Sequence, residues 1–212
     1  MAANEQDFSD WGGKTEVSYD IIDPALAERL RTTLLRIEQT PATGVLPTLG
    51  HWCYFQSPAP ADLLGEDGHP QRGGFLPPIA LPRRMWAGGS LEFLSPIPIG
   101  ATLSRHSTIG SIQAKEGRSG KLVFVSITHD YWQEETKLIT ERQDLVFREA
   151  AIKGNTASAK SKTTTLPLSE ETPTPLHSQT LRGDAVTLFR FSALTFHTCH
   201  APQGEAFVVK SP

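Results

Sequence analysis

Four strand-like runs, near residues 85 to 94, 101 to 115, 121 to 132 and 138 to 148, succeed one another with turn chemistry between them. No other feature restricts the fold as much. The separators are Pro96 to Gly100, Glu116 to Gly120 and Gln133 to Lys137, and two of them are short enough for hairpins. The later strands therefore read as an antiparallel meander, which has to bury one face against another element. Apolar alternation is weak in 101 to 115 and in 138 to 148, so the pattern leaves the register open.

A helix is the expected cover. Asp23 followed by Pro24 supplies an N-cap and a first helical residue, and Leu26, Ala27, Leu30, Leu34 and Ile37 recur at helical spacing until Pro41 and Gly44 end the pattern. Ahead of it, Thr15, Val17 and Tyr19 alternate with polar residues as a short strand does. Behind it, Trp52, Tyr54 and Phe55 add apolar bulk, so helix and strands are expected to share a core. Residues 57 to 82 are rich in proline and glycine and read as a long loop. Between Ala151 and Pro175 the sequence turns to Lys, Ser, Thr, Pro and Gly, the composition of a linker. Beyond it, Asp184 can cap a second helix whose Ala185, Leu188, Phe189, Ala193 and Phe196 form an apolar stripe in need of a partner. Only 37 residues follow Pro175, fewer than the roughly 40 at which an independent core is already marginal. The expected organisation is an α+β domain over 8–150, a linker over 151–175 and the start of a second unit over 176–212.

Composition removes several function classes. Apolar residues at 38% and aromatics at 8% are too many for a disordered chain. The 20 basic and 23 acidic residues leave a net charge of −3, which offers nucleic acid no basic tail. No run approaches the roughly 18 apolar residues of a membrane span, and MAANEQDFSD lacks both the positive region and the apolar stretch of a secretory signal. The expected compartment is the cytoplasm, with a mitochondrial address also compatible. Cys53 and Cys199 lie far apart and form neither a disulfide framework nor a paired zinc knuckle.

The densest constellation of candidate chemistry is GGFLPPIALPRRMWAGGSLEF, residues 73 to 93, where a proline-stiffened loop delivers Arg83, Arg84 and Trp86 to the start of a strand. Guanidinium groups bind phosphate bidentately, and an indole face stacks on an adenine or covers a pantetheine arm. The same residues are equally compatible with an internal ion network around a core tryptophan. Between Arg72 and Lys121, seven basic residues stand against two acidic ones, so an anionic partner would be steered here. Gly88 and Gly89 read as a bulge or as a close approach to a ligand, the bulge being favoured. KEGRSGKLVFV, residues 115 to 125, lacks the spacing of a phosphate loop and of a nucleophile elbow and reads as a hairpin turn, with Arg118 a weaker diphosphate candidate. His51, Cys53, His197, Cys199 and His200 are zinc-type ligands by residue type, but their spacing matches no known finger, and no metal site is expected. His129 beside Asp130 is either an oriented base or, as expected here, a satisfied sheet histidine.

The runs FLPPIALPRRMWAGGSLEF, RHSTIGSIQAKEGRSGKLVFVSITHDYW and ERQDLVFREA resemble the N-terminal half of type 2 hydroxyacyl-thioester dehydratases, and LFRFSALTF, residues 188 to 196, resembles the beginning of their second half. These MaoC-like proteins include mesaconyl-CoA hydratases and dehydratase domains of fatty acid synthases. The resemblance implies a double hot-dog fold, each half a curved antiparallel sheet wrapping a long helix, here with an incomplete second half. It also implies a hydratase or dehydratase acting on an acyl-CoA or acyl-carrier thioester, needing no cofactor, as a homodimer or paired with a second hot-dog chain. Arg83, Arg84, Trp86 and Arg118 become substrate-binding candidates. The family continues past a segment like FSALTF with a run resembling N-x-H-R-I-H-Y-D, whose Asn would fall at His197 and whose water-activating His would fall at Pro202. Neither is present, so His197 is left as a weak catalytic candidate and the chain is expected to be an impaired enzyme, a non-catalytic acyl-CoA binding module or a scaffold subunit.

Overall fold

The computed structural model describes residues 8–34, 44–65, 70–71, 73–117, 120–149, 177–182, 184–196 and 206–211. Strand β1 (Thr15–Ile21) leads into helix α1 (Pro24–Leu34), and β2 (Arg83–Phe93), β3 (Thr102–Gly117), β4 (Gly120–Gln133) and β5 (Thr136–Arg148) complete a five-stranded antiparallel sheet. Strand β6 (His177–Arg182), helix α2 (Ala185–Thr195) and β7 (Ala206–Ser211) follow, and among the described residues β6 and β7 form a separate two-stranded sheet. The linker expected over 151–175 lies outside the described residues. A helix laid on the inner face of a curved antiparallel sheet is the hot-dog arrangement. No helix among the described residues is long and apolar enough to cross a membrane.

Both helices start where their caps predict. The Asp23 carboxylate accepts the Ala25 N–H at 2.9 Å, and Asp184 accepts that of Thr187 at 2.8 Å. On α1, Ala27 and Leu30 are buried with Ile22, Leu103 and Ile139. Ile37 lies outside the described residues. The second helix divides its apolar residues: Phe191 and Leu194 pack on that core, whereas Val186, Phe189 and Phe196 are exposed.

The meander β3–β4–β5 forms as its turns dictate, but the sheet order is β1-β3-β4-β5-β2. Strand β2 therefore lies beside β5 and not beside β3, its neighbour in sequence. The Pro96 to Gly100 separator is stiffened by two prolines and its Ile97 is buried in the core, so it closes no hairpin, and residues 94 to 101 instead carry the chain along the sheet end. The alternation in β1 also resolves opposite to expectation. Register pairs Val17 with His106 and Tyr19 with Ser104, which turns Val17, Tyr19 and Ile21 outward, 47%, 74% and 58% exposed. Glu16, Ser18 and Asp20 take the inward phase.

The inner face carries two apolar clusters. One joins α1, the 3-10 turn Gly50–Cys53 and the near ends of β3, β4 and β5; the other lies around Ile109, Val125 and Phe147 beneath Phe75, Leu76 and Ile79. The second half of the long loop is thus packed, its apolar residues covering the sheet. Between the clusters every central strand turns polar: Arg105 and Ser107 on β3, His129 on β4, Glu141 and Gln143 on β5.

Edge strand β2 carries a bulge between Trp86 and Gly88, as the twin glycines predict. The two glycines do different things. Nothing lies within 4 Å of a Cβ at Gly88, whereas one at Gly89 would collide with the backbone carbonyl of Arg142. Gly89→Ala should therefore cost about 2 kcal/mol of stability in urea unfolding, the range of overpacking, and Gly88→Ala well under half of that; equal effects would contradict the close approach.

Candidate functional site

The polar band opens into a cavity of about 530 Å³. That volume lies within the range of small-ligand sites. Its floor is the sheet, with His129, Tyr131, Glu141 and Gln143 facing in; Trp52 and Phe55 come from the turn after α1, Phe75 and Leu76 from the long loop, and Thr195 from the end of α2.

The 3-10 turn sets the central contact. Leu49 stands in the left-handed region at φ 67°, and Gly50 is so close to Leu46 and Leu30 that a side chain there would displace them. That places His51 and Trp52 over β5. His51 donates from Nε2 to Glu141 Oε2 at 3.3 Å, Trp52 donates its indole N–H to Oε1 at 3.0 Å, and the Tyr131 hydroxyl donates to Oε2 at 3.0 Å. Burial alone would raise the Glu141 carboxyl, but the hydrogen bonds from His51 and Trp52, led by that of His51, outweigh it and hold it below the usual range. Burial and the Glu141 charge push the Tyr131 phenol far upward, so it stays a proton donor. The Nδ1 atom of His51 is buried without a partner. His51 also borders a second cleft of about 370 Å³ between residues 45–49 and 93–97.

His129 faces inward and Asp130 outward, so Asp130 does not orient it. Asp130 accepts from Thr140 at 2.7 Å and pairs with Lys137 at 3.0 Å. His129 Nδ1 stands 2.8 Å from Ser107 Oγ, the satisfied arrangement expected for a sheet histidine. Burial, and then the Arg105 cation, lower it to about 4, with Glu141 opposing. It is neutral at pH 7.

Strand alternation separates the twin arginines. Arg84 and Trp86 line the cavity, while Arg83 points to the other face and is exposed. Trp86 is not core: it is 53% exposed, stacks edge-on against Trp52 at 5.6 Å and donates its N–H to the Gly88 carbonyl. Arg118, His197, Cys199 and His200 lie outside the described residues. Cys53 is buried, and burial pushes its thiol up to about 11, which keeps it protonated. Among the described residues no group of three or more His, Cys, Asp or Glu side chains is placed to hold a metal ion.

Sequence reasoning missed Arg105, Tyr131, Glu141 and Gln143. A signal for three of them exists: once the turn at 133–136 pairs β4 with β5, positions 129, 131, 141 and 143 share one face, and their polarity interrupts an otherwise apolar phase.

The depressed His129 makes stability pH-dependent in a definite window. The unfolded chain takes up this proton near the ordinary 6.5 and the folded chain only near 4, so the unfolded state binds more protons between them. Stability should fall by up to about 3 kcal/mol as pH drops from 6.5 to 4, and His129→Gln should flatten that slope in urea titrations. A slope unchanged by the substitution would contradict the buried neutral imidazole.

Comparison with known proteins gives this cavity its setting. The family model described as hydroxyacyl-thioester dehydratase type 2 matches residues 49–201, from the 3-10 turn through α2. A mesaconyl-C(4)-CoA hydratase of Chloroflexus aurantiacus is 42% identical over 198 residues, covering 90% of this chain and 66% of that protein, so this chain spans just under two thirds of its relative's length. Among solved structures, HtdX of Mycobacterium tuberculosis aligns over 86% of this chain and 63% of its own at 11% identity and a TM-score of 0.47. A MaoC-like dehydratase from Rhodospirillum rubrum aligns over 66% of this chain and 94% of its own, at 13% identity and a TM-score of 0.42. With more than half of its residues matched by the family model, the chain belongs to the type 2 hydroxyacyl-thioester dehydratases.

Proposed function

We propose that this chain binds acyl thioesters of coenzyme A or of an acyl carrier, in the service of a reaction that adds water across an enoyl double bond or removes it from a 3-hydroxyacyl group. The observation that carries the reading is the cavity across the polar band, with Arg84, Trp52 and Trp86 on its β2 and turn side and polar donors within. An indole pair and a guanidinium suit a pantetheine arm and its phosphates. The 42% identical relative, named for hydrating a CoA thioester, supports the same class of substrate.

Hydration needs a base to activate water and donors aimed at the thioester oxygen. The cavity's own groups suit binding better than proton transfer. Glu141 is held by three donors, which weakens it as a base, and His129, lowered to about 4, takes up a proton poorly at neutral pH. Proton transfer is assigned instead to the region after α2, where His197 stands in place of the expected Asn and Pro202 in place of the expected His. Proline has no proton to move. The 212-residue chain therefore holds thioesters and turns them over slowly at best.

A second reading, a scaffold that dimerises or pairs with a second hot-dog chain, is favoured by Val186, Phe189 and Phe196 standing exposed on α2, 62%, 75% and 68% accessible. Calorimetry with coenzyme A and crotonyl-CoA, with hydration followed by loss of enoyl absorbance, tests the first reading. Saturable binding with turnover reduced at least about 100-fold from a typical enzyme supports it. Brisk hydration overturns the binding-only part, and no binding overturns the thioester reading. Light scattering on the same preparation tests the second: a monodisperse monomer, alone and mixed with a complementary hot-dog chain, removes it.

A further inference from the structure

We infer that the outer face of the sheet carries a site for a phosphate monoester, built by Arg83 and Arg148 on neighbouring strands and separate from the cavity. This site is independent of the thioester reading above.

Both guanidinium groups stand on the face turned away from α1. On β5, Glu141, Gln143, Leu145 and Phe147 face the inner side, so Arg148 takes the opposite phase. On β2, Arg84 and Trp86 line the cavity, which leaves Arg83 outside. The register sets Arg83 directly against Arg148, with Leu122 of β4 against Arg148 from the other side. Residues opposed in this way hold their Cβ atoms about 5 Å apart, and like charges so placed are destabilising.

No ion pair formed among the described residues involves Arg83 or Arg148. Asp144, the nearest acid in the same phase of β5, is 3.4 Å from Arg142. Glu92 stands opposite Thr140, toward the far end of β2. Glu149 follows Arg148 but takes the inward phase, where its carboxylate occupies the space that a side chain at Gly120 would need. The Nε of Arg148 is buried without a hydrogen-bond partner, which separates this residue from a fully solvated surface arginine. A guanidinium with a donor withdrawn from water and unpaired is held at a cost that an arriving oxyanion offsets.

The surroundings select the anion. Lys115, opposite Leu122 on β3, adds a third cation, its Nζ 5.1 Å from the centre of the Phe124 ring. Two guanidinium forks and a nearby ammonium match a phosphate monoester dianion in charge better than they match a single carboxylate. In the next row of the same face, Met85, Val146 and Phe124 register with one another and form an apolar shelf, on which Met85 is 46% exposed. Such a shelf accepts the base of a nucleotide whose phosphate lies on the arginines. The same phosphate chemistry has two sources, a free nucleotide and the nucleotide end of a coenzyme A whose pantetheine arm passes over edge strand β2.

Calorimetry of the full chain with adenosine 5′-monophosphate and with adenosine tests the site, in wild type, Arg83→Gln, Arg148→Gln and Arg142→Gln. Wild type should bind the monophosphate saturably and at least about tenfold tighter than adenosine. Arg83→Gln and Arg148→Gln should each weaken the monophosphate about tenfold, whereas Arg142→Gln, which removes an equal charge from the same face, should change it less than about twofold. Absence of saturable binding or equal affinity for the two ligands overturns the inference. An equal loss in Arg142→Gln also overturns it, by assigning the effect to diffuse charge. Coenzyme A identifies the source, and either answer keeps the site. Monophosphate that binds undiminished to the chain saturated with coenzyme A makes the ligand a free nucleotide, and mutual exclusion makes it the nucleotide end of coenzyme A itself. A chain that binds the monophosphate but no coenzyme A removes the thioester reading and leaves this inference standing. Should Arg148→Gln fail to fold by circular dichroism, the exposed Arg83→Gln decides.

Discussion

A sheet that buries one face must satisfy every polar group it turns inward, and this sheet turns in five on adjacent strands. Arg105, Ser107, His129, Glu141 and Gln143 cross β3, β4 and β5 between two apolar clusters. An unsatisfied buried polar group costs about 1–3 kcal/mol, so a band like this is held only by mutual pairing or by leaving room. The molecule does both. Glu141 is saturated by His51, Trp52 and Tyr131, and His129 by Ser107, while the remainder opens as a cavity. Packing fails to close where the polar groups are, and the cavity is that failure.

Backbone devices outside the band hold it in shape. The left-handed Leu49 and the tight Gly50 aim His51 and Trp52 at β5 from above, and the bulge at Gly88 lets Trp86 swing against Trp52 from the side. None of these residues carries charge. Their effect is electrostatic all the same, because they bring His51 and Trp52 to Glu141 as donors.

Local signals made much of the fold legible. Asp23-Pro24 marked the start of α1, Asp184 that of α2, and the glycine and charge clusters at 116–120 and 133–137 marked both hairpins within a residue or two. The partner of β2 was not legible, since a strand's nearest neighbour in sequence is only its default neighbour in space. Nor was the phase of β1: Val17 and Tyr19 look like core residues until β3 fixes the register and turns them out. In the site, Arg84 and Trp86 stood out by chemistry, and adjacency to Arg83 suggested a pair that strand alternation takes apart. Glu141 and Arg105 were hidden because each sits in a strand whose polar residues look like an exposed face. Only the pairing of strands shows that the polar phase points inward.

The most direct measurement uses the four tryptophans as position-specific reporters. With indole nitrogens labelled by ¹⁵N and assigned by substitution, titration with butyryl-CoA should shift the N–H signals of Trp52, bonded to Glu141, and of Trp86, bonded to the Gly88 carbonyl. Trp132, which packs against His106 on the outer face, should stay where it is. Shifts at Trp132 with Trp52 and Trp86 unmoved would place the ligand elsewhere and contradict a binding cavity built on the polar band.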